Sequence, residues 1–472
     1  MYPQKSTITK IILIIAIAST GLLFLKKDTS IQAQTQSPTP KPTPQEIVVN
    51  NEVRSLPGSL DNVPLFNSDS PEWVKKEGIL LSTFPPDGKK NPNAHLNFPF
   101  QGKFNLFAHH FTHTPPNLRT LYIGAILYNP GKQPITVEIL QAASYLMEPD
   151  APFQQKPPLS ENPQGEVYSG HGIRAVDNVL RGIRQPTFPA QLVIKPGESK
   201  MLLNGAIPVR DLPKPINGRS TFISLNSSSQ VYAATLAMYA KKNPDGSDRA
   251  PTLQEWQDLL YNGNLALPRD KTPTPPGATG NLIYSRVAGV QQGSTWRSQL
   301  VDKDSSNLTI PPTGKAYSYT IATLRGGKLG TEQVQTAKLL VRYPDTAYEA
   351  HGNYGVHYDL TLPLHNTSDR TKAIAITLET PLKDDKLTKG GLRFRQPPLD
   401  FPYFRGTIRL RYKDDSGQNL TRYVHLWHRV GQILEPTIKL KLVAGEKRLV
   451  RVDFIYPPDS TPPQVLTLRT LD

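Results

Sequence analysis

The chain has 472 residues with no cysteine, and its 54 Lys and Arg outnumber its 39 Asp and Glu, giving a formal net charge of +15. The absence of cysteine excludes disulfides, thiolate catalysis, thiolate metal ligands and a lipid-bearing cysteine after a signal sequence. The 46 prolines and 32 glycines disfavour long helices and favour short strands joined by turns.

The N-terminus has the parts of an export signal. Two lysines precede an apolar run over 11–25, and a small-residue site follows at 31–33. As a helix the run would cover about 22 Å, against a hydrocarbon core of about 30 Å, which favours a cleaved signal peptide over 1–33. Because Lys26 and Lys27 follow the run, an uncleaved membrane anchor stays open as the alternative. Either way we expect export to the periplasm, outer envelope or extracellular space.

Two proline-rich stretches divide the rest of the chain. Residues 34–50 form a Pro/Thr-rich linker, and 267–280 (LPRDKTPTPPGATG) form a second linker. This division predicts an N-terminal domain over 51–266 and a C-terminal domain over 281–472.

A histidine-rich segment comes early in the first block, and His95, His109, His110 and His113 are its candidate metal ligands. Residues 104–113 alternate as a strand does, which places His109 and His113 on one face about 13 Å apart. Two ligands of one zinc ion lie within about 4 Å of each other. We therefore predict no metal site and interpret the histidines as an aromatic-imidazole surface or core edge.

Strand patterns follow in the same block. Residues 135–139 alternate apolar and polar side chains after an Asn-Pro-Gly turn at 129–131 and predict a half-buried strand. Residues 192–194 predict another strand before a Pro-Gly-Glu turn. Residues 222–239 predict two short strands, broken by the polar run 226–229.

One short helix is predicted near 253–262. Thr252 and Glu255 have the spacing of a capping box, and Gly263 can end the helix. Trp256 lies on the apolar stripe of this helix, so we interpret it as a core residue rather than a binding surface.

The C-terminal block repeats the order of the first. Residues 358–364 and 374–378 flank an Asn-led turn, and 438–442 and 450–454 flank a Gly-Glu turn. We therefore expect a mainly β fold with two similar antiparallel β-sandwich domains, Ig-like or jelly-roll-like, with one short helix and Pro-rich linkers. Internal duplication is one explanation of the parallel, and the pattern common to many sandwiches is the other.

Residues 342–358 (RYPDTAYEAHGNYGVHY) form the densest polar-aromatic stretch. Its tyrosines could stack on sugar rings, and its carboxylates, histidine and amide could bind hydroxyl groups. The candidate ligand-binding residues here are Tyr343, Asp345, Tyr348, Glu349, His351, Asn353 and Tyr354. The alternative is a packed inter-domain loop with half-buried tyrosines.

Two basic strands supply the other candidate ligand-binding residues. Arg409 and Arg411 share one strand face, and Lys439 and Lys441 share another. If these strands are neighbours, their charges form a cationic patch suited to phosphate, sulfate or uronate. The alternative is a solvated outer face whose lysines protect a sheet edge.

The sequence contains none of the common catalytic motifs. G-x-S-x-G, H-E-x-x-H, S-x-x-K and phosphate-binding loops are all missing. We therefore assign no catalytic residue, metal or cofactor from the sequence.

Seven segments together resemble a family of cyanobacterial exported proteins that is catalogued only as a domain of unknown function. The resemblance spans about 54–468 and implies an envelope or extracellular location, but no activity and no functional residue. The segments are RSLPGSLDNVPLFNSDSPE, EGILLSTFPP, SYLMEPDAPF, NGRST, RVAGVQQGSTW, RYPDTAYEAHGNYGVHY and YPPDSTPPQVLTL.

These observations leave three functional hypotheses. The first is a non-enzymatic exported envelope protein that binds an anionic or neutral polysaccharide through the basic strands and 342–358. The second is a polysaccharide-active hydrolase or lyase, with Glu349 and His351 as its candidates. The third is a structural assembly protein that associates through sheet edges. Export argues against nucleic acid as a partner, membrane contact is expected only through the N-terminal segment, and the oligomeric state stays open.

Overall fold

The computed structural model describes residues 43–471, so the predicted signal peptide and most of the first linker lie outside them. As predicted, the fold is mainly β. The N-terminal strands are β1 Gln45–Val49, β2 Glu52–Arg54, β3 Ser59–Leu60, β4 Leu65–Ser68, β5 Trp73–Val74, β6 Gly78–Ser82, β7 Phe100–Thr112, β8 Leu121–Tyr128, β9 Ile135–Leu146, β10 Leu159–Glu161, β11 Gln191–Ile194, β12 Ser199–Ile207, β13 Gly218–Tyr239, β14 Lys241–Lys242 and β15 Asp248–Arg249.

The second half adds fourteen strands. They are β16 Ala288–Gln291, β17 Thr295–Gln299, β18 Leu308–Thr309, β19 Ala316–Ile321, β20 Ala337–Arg342, β21 Glu349–Ala350, β22 His357–His365, β23 Lys372–Glu379, β24 Leu392–Gln396, β25 Leu399–Lys413, β26 Asn419–Val430, β27 Ile438–Leu442, β28 Lys447–Ile455 and β29 Gln464–Thr470. The helices are α1 His171–Leu180 and α2 Leu253–Asn262, with short 3-10 turns at Pro92–Ala94 and Pro116–Leu118.

These strands form three main sheets. A twelve-stranded sheet has the order β11-β9-β13-β7-β4-β16-β20-β21, with β5 beside β7 and with β6, β8 and β12 joined through β13. An eight-stranded sheet has the order β10-β26-β25-β28-β22-β17-β3, with β18 beside β22, and a five-stranded sheet has the order β2-β19-β29-β23-β27. The eight- and five-stranded sheets enclose one large apolar core, as in a sandwich.

The predicted alternation is present where the sequence pattern is strictest. Inward residues of β22 are buried while their neighbours stay partly exposed, and β27 alternates buried and exposed residues along its whole length. Side chains on successive strand residues point to opposite sheet faces, so a period of two is enough to place these strands against a core.

The prediction of two short strands over 222–239 is wrong. β13 is a single strand that pairs with β7 and β9 in its first half and with β8 and β6 in its second half. Its register shifts between Ser227 and Val231, where the strand is exposed. The polar run at 226–229 is therefore an irregularity within one strand, at which the pairing partners change from β7 and β9 to β8 and β6, and not a turn.

The parallel between the two halves is present in the strand pairing, since β8 pairs with β12 and β9 with β11, as β22 pairs with β28 and β23 with β27. Asn129 follows β8, and Asn366 follows β22. The Nδ2 atom of Asn129 donates to the carbonyls of Gln133 and Ile194 at 2.7 and 2.9 Å. The Nδ2 atom of Asn366 donates to the equivalent carbonyls of Arg370 and Leu442 at 2.8 and 2.9 Å. In each half the corresponding asparagine therefore connects its own turn, through hydrogen bonds, to the strand that precedes the Gly-Glu turn.

We expect Asn129→Ala and Asn366→Ala each to lower the free energy of unfolding by about 2–3 kcal/mol, because each leaves buried carbonyls without donors. Urea denaturation of the full chain measures this loss. Asn243→Ala removes a partly exposed turn asparagine whose side-chain bond to Ser247 is exposed, and should change stability by less than about 0.5 kcal/mol. A large loss at one buried asparagine and none at the other would show that the two turns are not equivalent.

The predicted helix is present as α2, with the capping box of Thr252 and Glu255 formed and Gly263 at its end. Trp256 is completely buried, as its interpretation as a core residue requires. The helix α1 was not predicted, since it begins at a glycine with no side-chain cap and contains Gly172. Within residues 43–471, no helix is both long and apolar enough to cross a bilayer.

The sheets do not follow the predicted division at 267–280. β2 and β3 come from the N-terminal end of the described chain, and they pair with β19 and β17. In the other direction, β16 and β20 belong to the twelve-stranded sheet, where β16 pairs with β4. The sandwich-like architecture is therefore present, and the predicted count of two domains is not confirmed.

Candidate functional site

Most of the tyrosines predicted to bind ligand in 342–358 are used for packing. Tyr343 is completely buried, and its hydroxyl donates to the Ala94 carbonyl at 2.7 Å while accepting from the Ser82 amide at 3.0 Å. The guanidinium of Arg342 covers the ring of Tyr348 at 4.0 Å from its centroid. These two rings match the alternative of a packed loop.

The acidic residues of this stretch also have partners within the protein. The Asp345 carboxylate lies 3.4 Å from Nε of Arg269, and Glu349 accepts a hydrogen bond from the Thr336 hydroxyl at 2.9 Å. Asn353 is buried, with its Nδ2 donating to the Gln335 carbonyl. The polar groups of Asp345, Glu349 and Asn353 therefore hold the 342–358 stretch in place.

His351, Asn353 and Tyr354 line a cavity of about 360 Å³, which we call the Tyr284 cavity. The ring of His351 packs against Tyr284, with 4.8 Å between the ring centroids. Burial and, to a smaller extent, the nearby cations Arg325 and Lys383 lower the pKa of His351 from 6.5 to about 4, so the imidazole is neutral at pH 7. Burial also lowers the pKa of Lys383, on the same cavity wall, to about 8.

The floor of the Tyr284 cavity is charged. Nη2 of Arg286 lies 2.6 Å from Glu72, Nη1 of Arg286 lies 3.6 Å from Asp69, and Nε lies 3.9 Å from Asp270. Burial raises the pKa of Asp69 from 3.8 to about 7, although Arg286 opposes this shift. One guanidinium is therefore the shared counter-charge of three carboxylates. Because its pKa is about 7, Asp69 can gain or lose a proton near neutral pH.

The predicted basic strands are not neighbours. Arg409 and Arg411 lie on β25 in the eight-stranded sheet, whereas Lys439 and Lys441 lie on β27 in the five-stranded sheet. Both arginines converge on the buried carboxylate of Asp453, at 2.6 Å for Arg409 and 3.1 Å for Arg411. The four predicted residues therefore do not form one patch.

A different set of cations shares one face of the eight-stranded sheet, and we call it the basic face: Arg411, Lys413, Lys447 and Arg451. Arg411 on β25 lies directly opposite Arg451 on β28. Lys413 follows Arg411 at a spacing of two and Lys447 precedes Arg451 at a spacing of four, so all four residues have the same strand parity. Together they line an open groove of about 720 Å³.

The acidic residues of this groove leave most of these cations unpaired. Asp415 and Glu446 both bind Arg448, at 2.7 and 2.6 Å. Asp414 accepts hydrogen bonds within its own turn, from the amide and hydroxyl of Ser416. Among residues 43–471, the basic-face residues Lys413, Lys447 and Arg451 form no ion pair within 4.0 Å. The groove therefore presents an excess of positive charge to solvent.

The four histidines of the first block have separate surroundings. β7 runs unbroken to Thr112, and His113 is exposed just after it, so the strand that the alternation predicts is present. The other three are buried and each contacts a serine hydroxyl, with the pairs being His95 and Ser82, His109 and Ser220, and His110 and Ser68. His109 lies between Phe107 and Phe111, as the alternation predicts.

His109 also belongs to a cluster that the sequence did not reveal. Glu72, His109 and Asp459 each place one nitrogen or carboxylate oxygen within 4.8 Å of the others, and we call them the His109 cluster. Glu72 comes from the loop between β4 and β5, and Asp459 from the loop between β28 and β29. Only the folded chain brings these segments together.

The comparisons with known proteins identify a family and no activity. A family model described as "Protein of unknown function (DUF3370)" matches residues 51–470. No curated protein matches the chain. The crystal structure of coconut allergen cocosin is 10% identical, with 80% of this chain and 84% of that chain covered and a TM-score of 0.11. The crystal structure of pumpkin seed globulin is 8% identical, with coverages of 77% and 76% and a TM-score of 0.10.

Proposed function

The chain belongs to the DUF3370 family, whose description assigns no activity, and we propose from its charge distribution that it is an exported cell-envelope protein that binds an anionic polysaccharide without catalysis. Export is proposed from the sequence of residues 1–33. The binding surface is the basic face, which replaces the patch expected from the two basic strands.

The observation that carries this proposal is the pairing of Arg411 with Arg451 across neighbouring strands. Like charges directly opposite each other on a sheet destabilise it, and Asp453 supplies a counter-charge on the Arg411 side only. An anion in the groove would lie against Arg451 and the two lysines. Sulfate or uronate groups spaced along a polysaccharide can meet several such cations at once.

We expect the full chain to be retained on immobilised dextran sulfate at low salt and eluted by sodium chloride, because ion pairing at an exposed surface is screened. Lys447→Gln combined with Arg451→Gln should weaken this binding roughly tenfold, since two exposed ion pairs are worth about 1–2 kcal/mol together. Elution position and direct titration measure the loss.

The matched control is Lys439→Gln combined with Lys441→Gln, which removes the same two charges from exposed positions on β27. This control should bind almost like the unmodified chain. Equal weakening by both pairs of substitutions would mean that retention follows net charge alone, and would reject the basic face as the binding surface. Retention that does not change with salt would favour the assembly hypothesis.

A second candidate function is polysaccharide hydrolysis in the Tyr284 cavity. Two observations favour this candidate. Asp69 and Asp270 both line the cavity, and the pKa of Asp69 is raised to about 7. A carboxylic acid with such a pKa can protonate a leaving group at neutral pH. New reducing ends released from the polysaccharide, and lost in Asp69→Asn, would favour hydrolysis over simple binding.

A further inference from the structure

The carboxylates around the His109 cluster outnumber the cations that can balance them. Arg286 contacts Asp69, Glu72 and Asp270. Among residues 43–471, the Asp459 carboxylate forms no ion pair with an arginine or lysine within 4.0 Å. Its charged neighbours are Arg405, which donates to the Asp459 backbone carbonyl at 3.2 Å, and the ring of His109, whose Nε2 lies 3.6 Å from Oδ1. This gap is longer than a hydrogen bond between nitrogen and oxygen, which spans about 2.7–3.2 Å.

Two buried polar atoms of this cluster lack hydrogen-bond partners among residues 43–471. His109 is 1% exposed, and its Nε2 makes no hydrogen bond within the described chain. The buried Oδ2 of Asp459 likewise has no hydrogen-bond partner among residues 43–471. Unpartnered buried groups of this kind are destabilising and need an explanation.

The surroundings of His109 hold its ring in one orientation. Its Nδ1 is hydrogen-bonded to the hydroxyl of Ser220, which leaves the Nε2 lone pair facing the two carboxylates when Nδ1 carries the proton. His171 stacks on the ring, with 5.1 Å between centroids and 17° between planes. This is the arrangement in which histidine binds a metal, with one ring nitrogen free and the other bonded to a neighbouring group.

We propose that Glu72, His109 and Asp459 bind a divalent first-row transition metal ion such as Zn²⁺. The three ligand atoms lie within 4.8 Å of one another, and bonds of about 2.0–2.2 Å from one ion would bridge them after a small contraction. The separation of 3.6 Å between Nε2 and Oδ1 is close to that of two ligands of one ion. One imidazole with two carboxylates favours Zn²⁺ or Mn²⁺ over Ca²⁺, which takes oxygen ligands.

Such an ion would join separate parts of the fold. Glu72 and His109 belong to the region of the twelve-stranded sheet, and Asp459 belongs to the loop between β28 and β29. Asp459 has a left-handed backbone, with φ of 59°, a conformation that aspartate and asparagine tolerate better than most residues. Asparagine at this position therefore removes the charge without adding backbone strain.

The test uses the full chain after dialysis against EDTA, titrated with ZnCl₂ by calorimetry. We expect one Zn²⁺ ion per chain and a rise in Tm when the ion is added. Glu72→Gln and Asp459→Asn should each weaken Zn²⁺ binding by at least about tenfold. Asp270→Asn is the near control, because Asp270 contacts Arg286 but not the cluster, and should keep the affinity within about threefold.

The wild-type chain decides the proposal even if a variant fails to fold, as judged by circular dichroism. A folded wild-type chain that shows no saturable Zn²⁺ binding and no rise in Tm overturns it. Equal weakening in Asp270→Asn and Asp459→Asn also overturns it, since that result describes a diffuse acidic surface. The inference does not depend on polysaccharide binding.

Discussion

Replacing Asp453 with alanine is expected to lower the free energy of unfolding by about 3 kcal/mol, because it leaves three partly buried cations without their counter-charge. The Asp453 carboxylate is completely buried and accepts from Arg409 at 2.6 Å, His357 at 3.0 Å and Arg411 at 3.1 Å. No other carboxylate among residues 43–471 contacts Arg409 within 4.0 Å. Urea denaturation of the variant gives the loss directly.

Asp359→Ala is the control for Asp453→Ala. Asp359 lies opposite Asp453 on the neighbouring strand and binds Arg297 at 3.3 Å, but the Arg297 side chain is 79% exposed. Its contact with Arg411 is longer, at 4.0 Å. Exposed ion pairs contribute about 0–1 kcal/mol, so the control should lose no more than that. Similar losses in the two variants would contradict the assignment of Asp453 as the buried centre of this network.

The pH dependence of stability provides a second test of Asp453. Its hydrogen bonds to His357 and Arg409 lower its pKa from 3.8 to about 2, in opposition to burial. The folded state therefore binds this proton more weakly than the unfolded state. The stabilisation is complete above about pH 4 and is lost as the pH falls through about 2. Asp453→Asn should remove this part of the acid titration.

Strand positions could be predicted because their signal is local. β22 and β27 each have apolar residues at every second position, and this alternation suffices to bury one face. The continuity of β13 could not be predicted in the same way. The polar run at 226–229 has the composition of a turn, and only the pairing of β13 with four other strands keeps it extended.

The assignment of strands to sheets could not be predicted, because it depends on contacts that the composition of the chain does not indicate. The proline-rich stretch at 267–280 resembles a domain boundary, yet β16 after it pairs with β4 before it. Such pairing is set by the packing of the whole chain rather than by residues near the linker. The repeat of Asn129 and Asn366 was visible in the sequence because both residues act on turns close to them.

The candidate site was the least predictable part. Tyr343 belongs to a run that could equally bind sugars or pack. Its ring is buried in an apolar cluster, and its hydroxyl is hydrogen-bonded to Ser82 and Ala94, far away in the chain. The residues of the His109 cluster lie in three separate segments. Glu72 and Asp459 do lie in two of the segments that carry the family resemblance, but nothing local indicates that they meet.

Trp256→Ala should lower the free energy of unfolding by about 3–5 kcal/mol, the range for removing a large buried aromatic side chain. Trp256 is completely buried among apolar residues of the twelve-stranded sheet, and its Nε1 donates to Oδ1 of Asn204 at 3.3 Å. The helix α2 covers this sheet through Trp256 and Leu260, so the loss also weakens the attachment of the helix. Loss of cooperativity in the circular-dichroism melting curve would report that detachment.

The contact between Trp256 and Gly124 makes this prediction specific to packing. A methyl group on Gly124 would lie 2.8 Å from the indole ring, so Gly124→Ala should destabilise the wild-type chain by about 1–3 kcal/mol. In a Trp256→Leu background the ring is absent, and the same substitution should have almost no effect. A double-mutant cycle would then give a coupling of about 1 kcal/mol or more. Additive effects of the two substitutions would mean that Gly124 is required by the backbone of β8 rather than by the tryptophan.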